Sequence, residues 1–427
     1  MTTTAAKSLR EASCADDYDP NSMPVAKARE LIASFLSPVT AVERVHVRSA
    51  LGRVLAADIV SPVAVPAHDN SAMDGYAVRF ADLRPDAESV LARRGDSFAG
   101  KPWEGSIGAG ECVRIFTGGV MPRGADTVVM QERAREDERG VHIAAGAVAK
   151  AGTNRRFAGE DLKQGQLVFR AGQRVRPAEL GMLASLGFGE VGVYRKLRVA
   201  FFSTGDELKS IGSPLAAGEV YDSNRYTLYG MLTRLNCEAV DLGVVPDAPD
   251  RLERAFGIAA DAADVVITSG GVSVGEADYV RRILQKLGEV LFWKIAMKPG
   301  RPLAYGRIGR AHFFGLPGNP VAVMVTFYQF VRDALLTLQG EREIRPLPTF
   351  KVRLSAPVKK LPGRTEFQRG ILSADGAGAW SVRPTGDQGS GILSSMSQAD
   401  CFIVLASEAG NLPAGELVDV QLLDGLI

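Results

Sequence analysis

The apolar positions of the chain follow different periods in different stretches, and the changes of period divide it. From Pro24 the segment AKARELIASFL repeats at helical spacing, and VERVHVRSALGRVLAADIVSPVAVP then breaks into short apolar runs that end at prolines. Between about Asp74 and Gly165, short alternating runs (CVRIFT, TVVMQE, VHIAAG) sit among glycines. This is the pattern of a small β-rich unit, with the charged ERAREDERG as a hairpin tip. From Lys196 to Gly340, β-branched and aromatic runs (RVAFFST, DVVITSGG, VLFWKIAM, PLAYGRI, HFFGLP) alternate with helical segments, the signature of an α/β layer fold around a mainly parallel sheet. Leu228, Met231, Leu232 and Leu235 stand at i, i+3, i+4, i+7, as do Val280, Ile283, Leu284 and Leu287, so each set predicts one helix face. Asn319 and Pro320 predict a cap and first position for a third helix, VAVMVTFYQFVRDALLTL. FKVRLS, CFIVLA and LVDVQLL predict a small β domain over 347–427. Residues 1–22, polar and acidic, read as a disordered leader. The expected division is 1–22 leader, 23–65 with 166–192 as an N-terminal linking module, 66–165 as an inserted β-rich domain, 193–346 as the α/β domain, and 347–427.

Composition narrows the function classes. The chain has 427 residues, 46% of them hydrophobic, which supports several buried cores and excludes a disordered or fibrous protein. Lysine plus arginine number 50 against 49 acidic residues, so no bulk field recruits nucleic acid or acidic membranes, and any anionic ligand is held locally. Cys14, Cys112, Cys237 and Cys401 never form a CxxC, which argues against zinc fingers, iron-sulfur motifs and a disulfide framework. The N-terminal stretch lacks a signal-peptide core and no run reaches about 18 uninterrupted apolar residues, so the expectation is a soluble cytoplasmic protein. The P-loop, GxGxxG, GxSxG and HExxH motifs are absent.

Candidate chemistry collects where apolar runs end. In open α/β sheets ligands bind beyond the carboxyl ends of the strands. Thr204, Gly205, Asp206 and Glu207 follow one such run. Ser269, Gly270 and Gly271 follow another, with Glu276 and Asp278 leading into a helix. Adjacent glycines let backbone N–H groups approach an oxyanion. Asp222 can cap the helix after it, and Asp247 follows AVDLGVV. Carboxylates gathered at one sheet edge repel one another unless they share a cation, and Mg²⁺ held by one or two carboxylates plus ligand phosphate oxygens is the usual resolution. Taken singly, Asp222 and Asp247 read as a cap or a turn. Cations stand in FWKIAMKPGRP (Lys294, Lys298, Arg301) and in TNRRF (Arg155, Arg156), where Lys294 interrupts an apolar run and Lys298 precedes a Pro-Gly turn. Asp69, Asn70, Ser71 and Asp74 in PAHDNSAMDGYAV read locally as a turn.

Taken in order, PAHDNSAMDGYAV, TGG with MPRGADTVVMQE, NRRFAGED, STGDEL, YDSNR, TSGGVSVGEADY, FWKIAMKPGRP, GLPGNPVA and QGSGILSSM resemble the molybdopterin molybdenumtransferase family, that of MoeA and the gephyrin E-domain, over nearly everything after residue 22. The resemblance implies a multidomain α/β protein. Its central three-layer domain is of molybdopterin-binding type, with a β-rich inserted domain and a C-terminal small β-barrel. It implies a homodimer with its cleft between subunits, and an enzyme that takes adenylylated molybdopterin and molybdate and releases molybdenum cofactor and AMP with Mg²⁺. The pterin adenylyltransferase and molybdoenzyme maturation proteins would be its partners, and neither nucleic acid nor membrane would be. Positions matching the family's functional motifs are Asp74, Glu207, Asp247 and Asp278 as catalytic residues, the last three also as metal ligands. Thr117, Arg156, Asp161, Ser269, Gly270, Gly271, Lys294, Lys298 and Ser390 match as substrate contacts. Where the family often has a further basic residue Phe157 and Ala158 stand, and Arg301 replaces a lysine. Two other functions compete. A pterin adenylyltransferase would need only the α/β unit, and the MDGY and QGS modules count against it. An interaction scaffold would not need Asp74, Glu207 and Asp278 to be acidic.

Overall fold

A computed structural model of the chain describes residues 23–271 and 278–423. It forms two compact units: residues up to Ala56, Gly172–Arg176 and those from Glu190 onward in one, and Ala57–Ala171 with Pro177–Gly189 in the other.

The first unit is built on a six-stranded sheet: β1 (Arg198–Thr204), β2 (Glu238–Val245), β3 (Val265–Ser269), β4 (Gly288–Lys294), β5 (Pro302–Ile308) and β6 (Ala311–Leu316), in the order β2-β1-β3-β6-β5-β4. The first four strands of that order run parallel, β5 is antiparallel to them, and β4, antiparallel to β5, runs in their direction again. The central runs are apolar throughout because both faces are covered. Along β1, Val199 and Phe201 join one core, while Ala200 and Phe202 join the other. The first core is closed by α1 (Ser223–Arg234) through Leu228, Met231 and Leu232, the second by α2 (Pro249–Ala262) and α3 (Asp278–Leu287) through Phe256, Val280 and Leu284. The two predicted helix stripes are therefore the packed faces.

The third helix, α4 (Pro320–Leu338), passes through a π-helical turn at Phe327–Val331. Asn319 and Pro320 stand at its cap and first positions as expected, although the Asn319 side chain makes no capping hydrogen bond. The helix is also long and apolar enough to cross a membrane, with a mean hydropathy of 1.4, but 83% of that stretch is buried inside the fold. It is a core helix whose apolar surface is used by packing.

The C-terminal strands β7 (Thr349–Leu354), β8 (Thr365–Ala374), β9 (Trp380–Pro384), β10 (Cys401–Leu405) and β11 (Leu417–Leu422) pair in the cycle β8-β9-β7-β11-β10 and back to β8, a closed five-stranded barrel. The short strand Met297–Lys298 pairs with the start of β8, which brings Lys298 beside Glu366.

The second unit holds a six-stranded sheet from Gly75 to Ile143, in which Ala134–Asp137 and Gly140–Ile143 form the charged hairpin. The pair Arg155–Arg156 lies antiparallel to Asn70–Ser71.

Candidate active site

In the first unit, the carboxyl ends of β1, β2 and β3 open onto a cavity of about 150 Å³. Glu207, Asp247, Ser269, Gly270 and Gly271 line it, so five of the expected residues come together. Gly270 and Gly271 have φ of +92° and +68°. A β carbon on Gly270 would lie 2.4 Å from the Thr204 carbonyl oxygen, so glycine is required for β3 to turn past β1. Asp247 accepts a hydrogen bond from the Thr204 hydroxyl, and its N–H donates to Asp206 at 3.2 Å. Glu207 is exposed at the rim.

Two expectations change here. The Gly270 N–H donates to the Leu316 carbonyl at 3.1 Å because β6 runs beside β3, so it is not free for an oxyanion. No lysine or arginine is among the described residues lining the cavity. Asp222, which sequence grouped with the strand-end carboxylates, is buried under the first turn of α1. It accepts from the Arg225 N–H at 3.2 Å and the Ser203 hydroxyl at 3.0 Å, and is the helix cap. Glu276 lies outside the described residues, as does the side chain of Asp278, whose backbone opens α3.

The other cations and Ser390 are anchored elsewhere in the same unit. Lys294 is half-buried at the end of β4. The Lys298 ammonium lies 3.7 Å from the carboxylate of Glu366, which is 4% exposed. The Ser390 carbonyl accepts from the Val321 N–H at 3.1 Å, joining the QGS loop to the start of α4.

In the second unit Asp74 accepts from both the N–H (2.7 Å) and the hydroxyl (2.8 Å) of Thr117. Those two bonds, with the Arg114 charge nearby, hold its carboxyl below the usual range. Asp74 is thus a carboxylate at neutral pH and a poor proton donor. Arg155 is paired with Asp69 and stacks over Phe157 at 4.8 Å, while its neighbour Arg156 points to the other side of the strand and is exposed. Burial raises the Asp69 carboxyl, but the Ala158 N–H and Arg155 outweigh it and the net shift is downward. Asp161 is exposed.

Sequence reasoning missed Asn224. It lies on the buried stripe of α1, one turn before Leu228, and lines the cavity. An amide at an apolar position of a helix stripe was the available signal.

A metal fits this donor set in a restricted way. Among the described residues no group of three or more His, Cys, Asp and Glu could hold an ion, yet two carboxylates face one cavity. This is the arrangement of a cation that takes its remaining oxygens from substrate and water.

Three family models match the chain in succession. Residues 23–187 match the MoeA N-terminal region (domain I and II), 200–337 the probable molybdopterin binding domain, and 351–423 the MoeA C-terminal region (domain IV). A molybdopterin molybdenumtransferase of Haemophilus influenzae is 44% identical over 401 residues, covering 94% of this chain and 98% of that protein. Another from Nostoc is 40% identical over 308 residues, 70% of each chain. The solved structure of a molybdopterin biosynthesis MoeA protein from Pyrococcus horikoshii superposes with a TM-score of 0.81 at 29% identity, covering 94% of this chain and 100% of that one. With three family regions in order and a relative this similar over nearly its whole length, the chain belongs to the molybdopterin molybdenumtransferase (MoeA) family.

Proposed function

We propose that the chain inserts molybdenum into molybdopterin. In this reading it takes adenylylated molybdopterin and molybdate, cleaves the phosphoanhydride, and releases molybdenum cofactor and AMP, acting in the cytoplasm as a homodimer. The observation that supports it most is the facing of Glu207 and Asp247 into one cavity at the strand ends. Mg²⁺ held there, with Asp278 as a further ligand, would offset charge on the leaving phosphate. Glu207 or Asp247, whichever is not shielded by the ion, orients water and takes its proton. Asp74 stays ionised and therefore acts electrostatically or through Thr117, not as an acid. Lys294, Lys298, Arg156 and Ser390, with Thr117 and Asp161, suit the anionic groups of substrate and molybdate, and Ser269 and Gly271 suit the part that enters the cavity.

The test is AMP release from adenylylated molybdopterin with and without molybdate. Wild type should release AMP, and Glu207→Gln and Asp247→Asn should each lower turnover by roughly a hundredfold with melting temperature unchanged. Near-normal turnover in both variants removes these carboxylates from the mechanism. Incorporation of AMP from ATP in place of its release would favour the adenylyltransferase reading, and neither activity would favour the scaffold.

A further inference from the structure

Helix α4 changes its hydrogen-bond register halfway along. The Phe327 N–H donates to the Met324 and Val323 carbonyls, three and four residues back, whereas the Arg332 N–H reaches five back to the Phe327 carbonyl. A π turn of this kind holds about one residue more than the α turn it replaces. Closing it would rotate one half of the helix by about 100° against the other and shift it by about 1.5 Å. The two halves serve different parts of the fold. The second leads into Gln339, whose Nε2 donates to the Leu235 carbonyl at 2.9 Å. The first touches the candidate site in three places. It starts just after Gly318 at the cavity, and its Val321 N–H holds the Ser390 carbonyl. Its Thr326 packs against the turn that follows Lys298, where a β carbon on Gly300 would lie 2.5 Å from the Thr326 methyl.

The turn is held from outside the helix. Gln329, in its middle, is 1% exposed. Its carbonyl accepts from the Arg29 Nε at 2.9 Å, and its Oε1 accepts from the same guanidinium. Its Nε2 donates to Oε1 of Gln421, on β11, at 2.8 Å. Arg29 stands on the N-terminal helix (Val25–Ser34), which buries Val25, Ala28 and Ile32. One guanidinium fork thus serves two acceptors of a single buried residue, a geometry the point charge of a lysine does not reproduce. Without it the Gln329 carbonyl would need another donor. The nearest is a backbone N–H of the helix's own next turn, and taking it draws the π turn toward α.

We propose that Arg29 is a positioning residue. Its guanidinium keeps the π turn of α4 open and so sets the register at which the first half of the helix meets Gly318, Ser390 and the Lys298 turn. The consequence for turnover rests on the reading that these parts hold substrate, whereas the register does not.

Hydrogen exchange read by mass spectrometry, together with AMP release from adenylylated molybdopterin, tests this on wild type, Arg29→Met and Ile32→Val. Ile32 is 2% exposed on the same helix, so its variant loosens the packing of that helix and leaves the guanidinium in place. Arg29→Met should exchange roughly tenfold faster over residues 320–326 and 387–393, the scale of one lost hydrogen bond. Below its melting range it should also lose turnover by roughly tenfold or more, as expected when groups move by about 1 Å. Ile32→Val should do neither. Faster exchange confined to the N-terminal helix in Arg29→Met overturns the proposal, because the arginine would then only anchor its own helix. Exchange over 320–326 that matches Ile32→Val overturns it too. If the methionine variant does not fold, Arg29→Lys, which keeps the charge and loses the fork, is read by the same contrast, and failure of both to fold overturns the proposal in favour of a purely structural arginine. Absence of AMP release from wild type would sink the functional reading alone, and the exchange contrast would still decide the register.

Discussion

Gly270→Ala should break the cavity from its floor, and the cost follows from two numbers. The residue has φ of +92°, where a side chain costs about 1–3 kcal/mol. Its new β carbon would lie 2.4 Å from the Thr204 carbonyl oxygen. That oxygen is backbone, held in register by β1–β3 pairing at Ser203 and Ser269, so it cannot rotate away. Overpacking strain of this kind adds about 1–3 kcal/mol, for a total of about 2–6 kcal/mol. Gly271→Ala is the internal comparison. With φ of +68°, its β carbon first meets the Thr204 methyl at 3.1 Å, a group that can shift, so the backbone cost of about 1–2 kcal/mol dominates. At about 2–4 °C per kcal/mol, Gly270→Ala should lower the melting temperature by roughly 4 °C or more, and by more than Gly271→Ala. Differential scanning calorimetry reads the order and AMP release reads the consequence. A Gly270→Ala protein melting within a degree of wild type, or the reverse order of the two variants, refutes the close-approach argument.

Three further outcomes are expected. Asp222→Ala should destabilise by about 2–4 kcal/mol in urea melts, because it removes a helix cap, leaves the buried Ser203 hydroxyl without its acceptor, and leaves the Arg225 guanidinium, 3.5 Å from the Asp222 carboxylate, to Asp241 alone. A loss below about 1 kcal/mol would mean that solvent replaces the cap. Lys298→Ala should weaken molybdate binding and also cost stability, since it leaves the buried Glu366 carboxylate without a counter-charge and with the Gln368 amide as its remaining partner. Lys298→Ala with Glu366→Gln should recover the stability and not the binding, and recovery of both would remove Lys298 from the anion site. The His142 ring lies 2.9 Å from both Glu88 and Asp137, whose hydrogen bonds raise its pKa. Its contribution to stability is full below the unfolded value of about 6.5 and is lost as pH rises through the higher folded value, while the lowered carboxyls of its partners give up theirs as pH falls through their own. The wild-type advantage over His142→Gln should therefore be greatest in mildly acidic buffer and shrink toward alkaline pH in thermal melts, and a pH-independent difference would refute the pairing.

The sequence by itself determined the elements and much of their order. A strand covered on both faces must be apolar throughout, so RVAFFST and DVVITS announced central strands. A packed helix must repeat at three to four residues, so Leu228, Met231 and Leu232 marked a buried face. The polar residues directly after those strands marked a cleft, since chain direction and the parallel sheet place them at one edge. What each polar group does there was decided by neighbours distant in the chain. Gly270 gives its N–H to Leu316 because β6 pairs with β3. Asp74 is held by Thr117, 43 residues away, and Lys298 faces Glu366 because the barrel strand β8 runs beside it. Asn224 looked like an ordinary residue after a cap until Ser269 and Gly318 took both hydrogens of its amide and tied the first turn of α1 to the ends of two strands. Periodicity is a local property that side-chain type encodes directly. Hydrogen-bond partnership is a property of topology, and exists only once the strands have found their order.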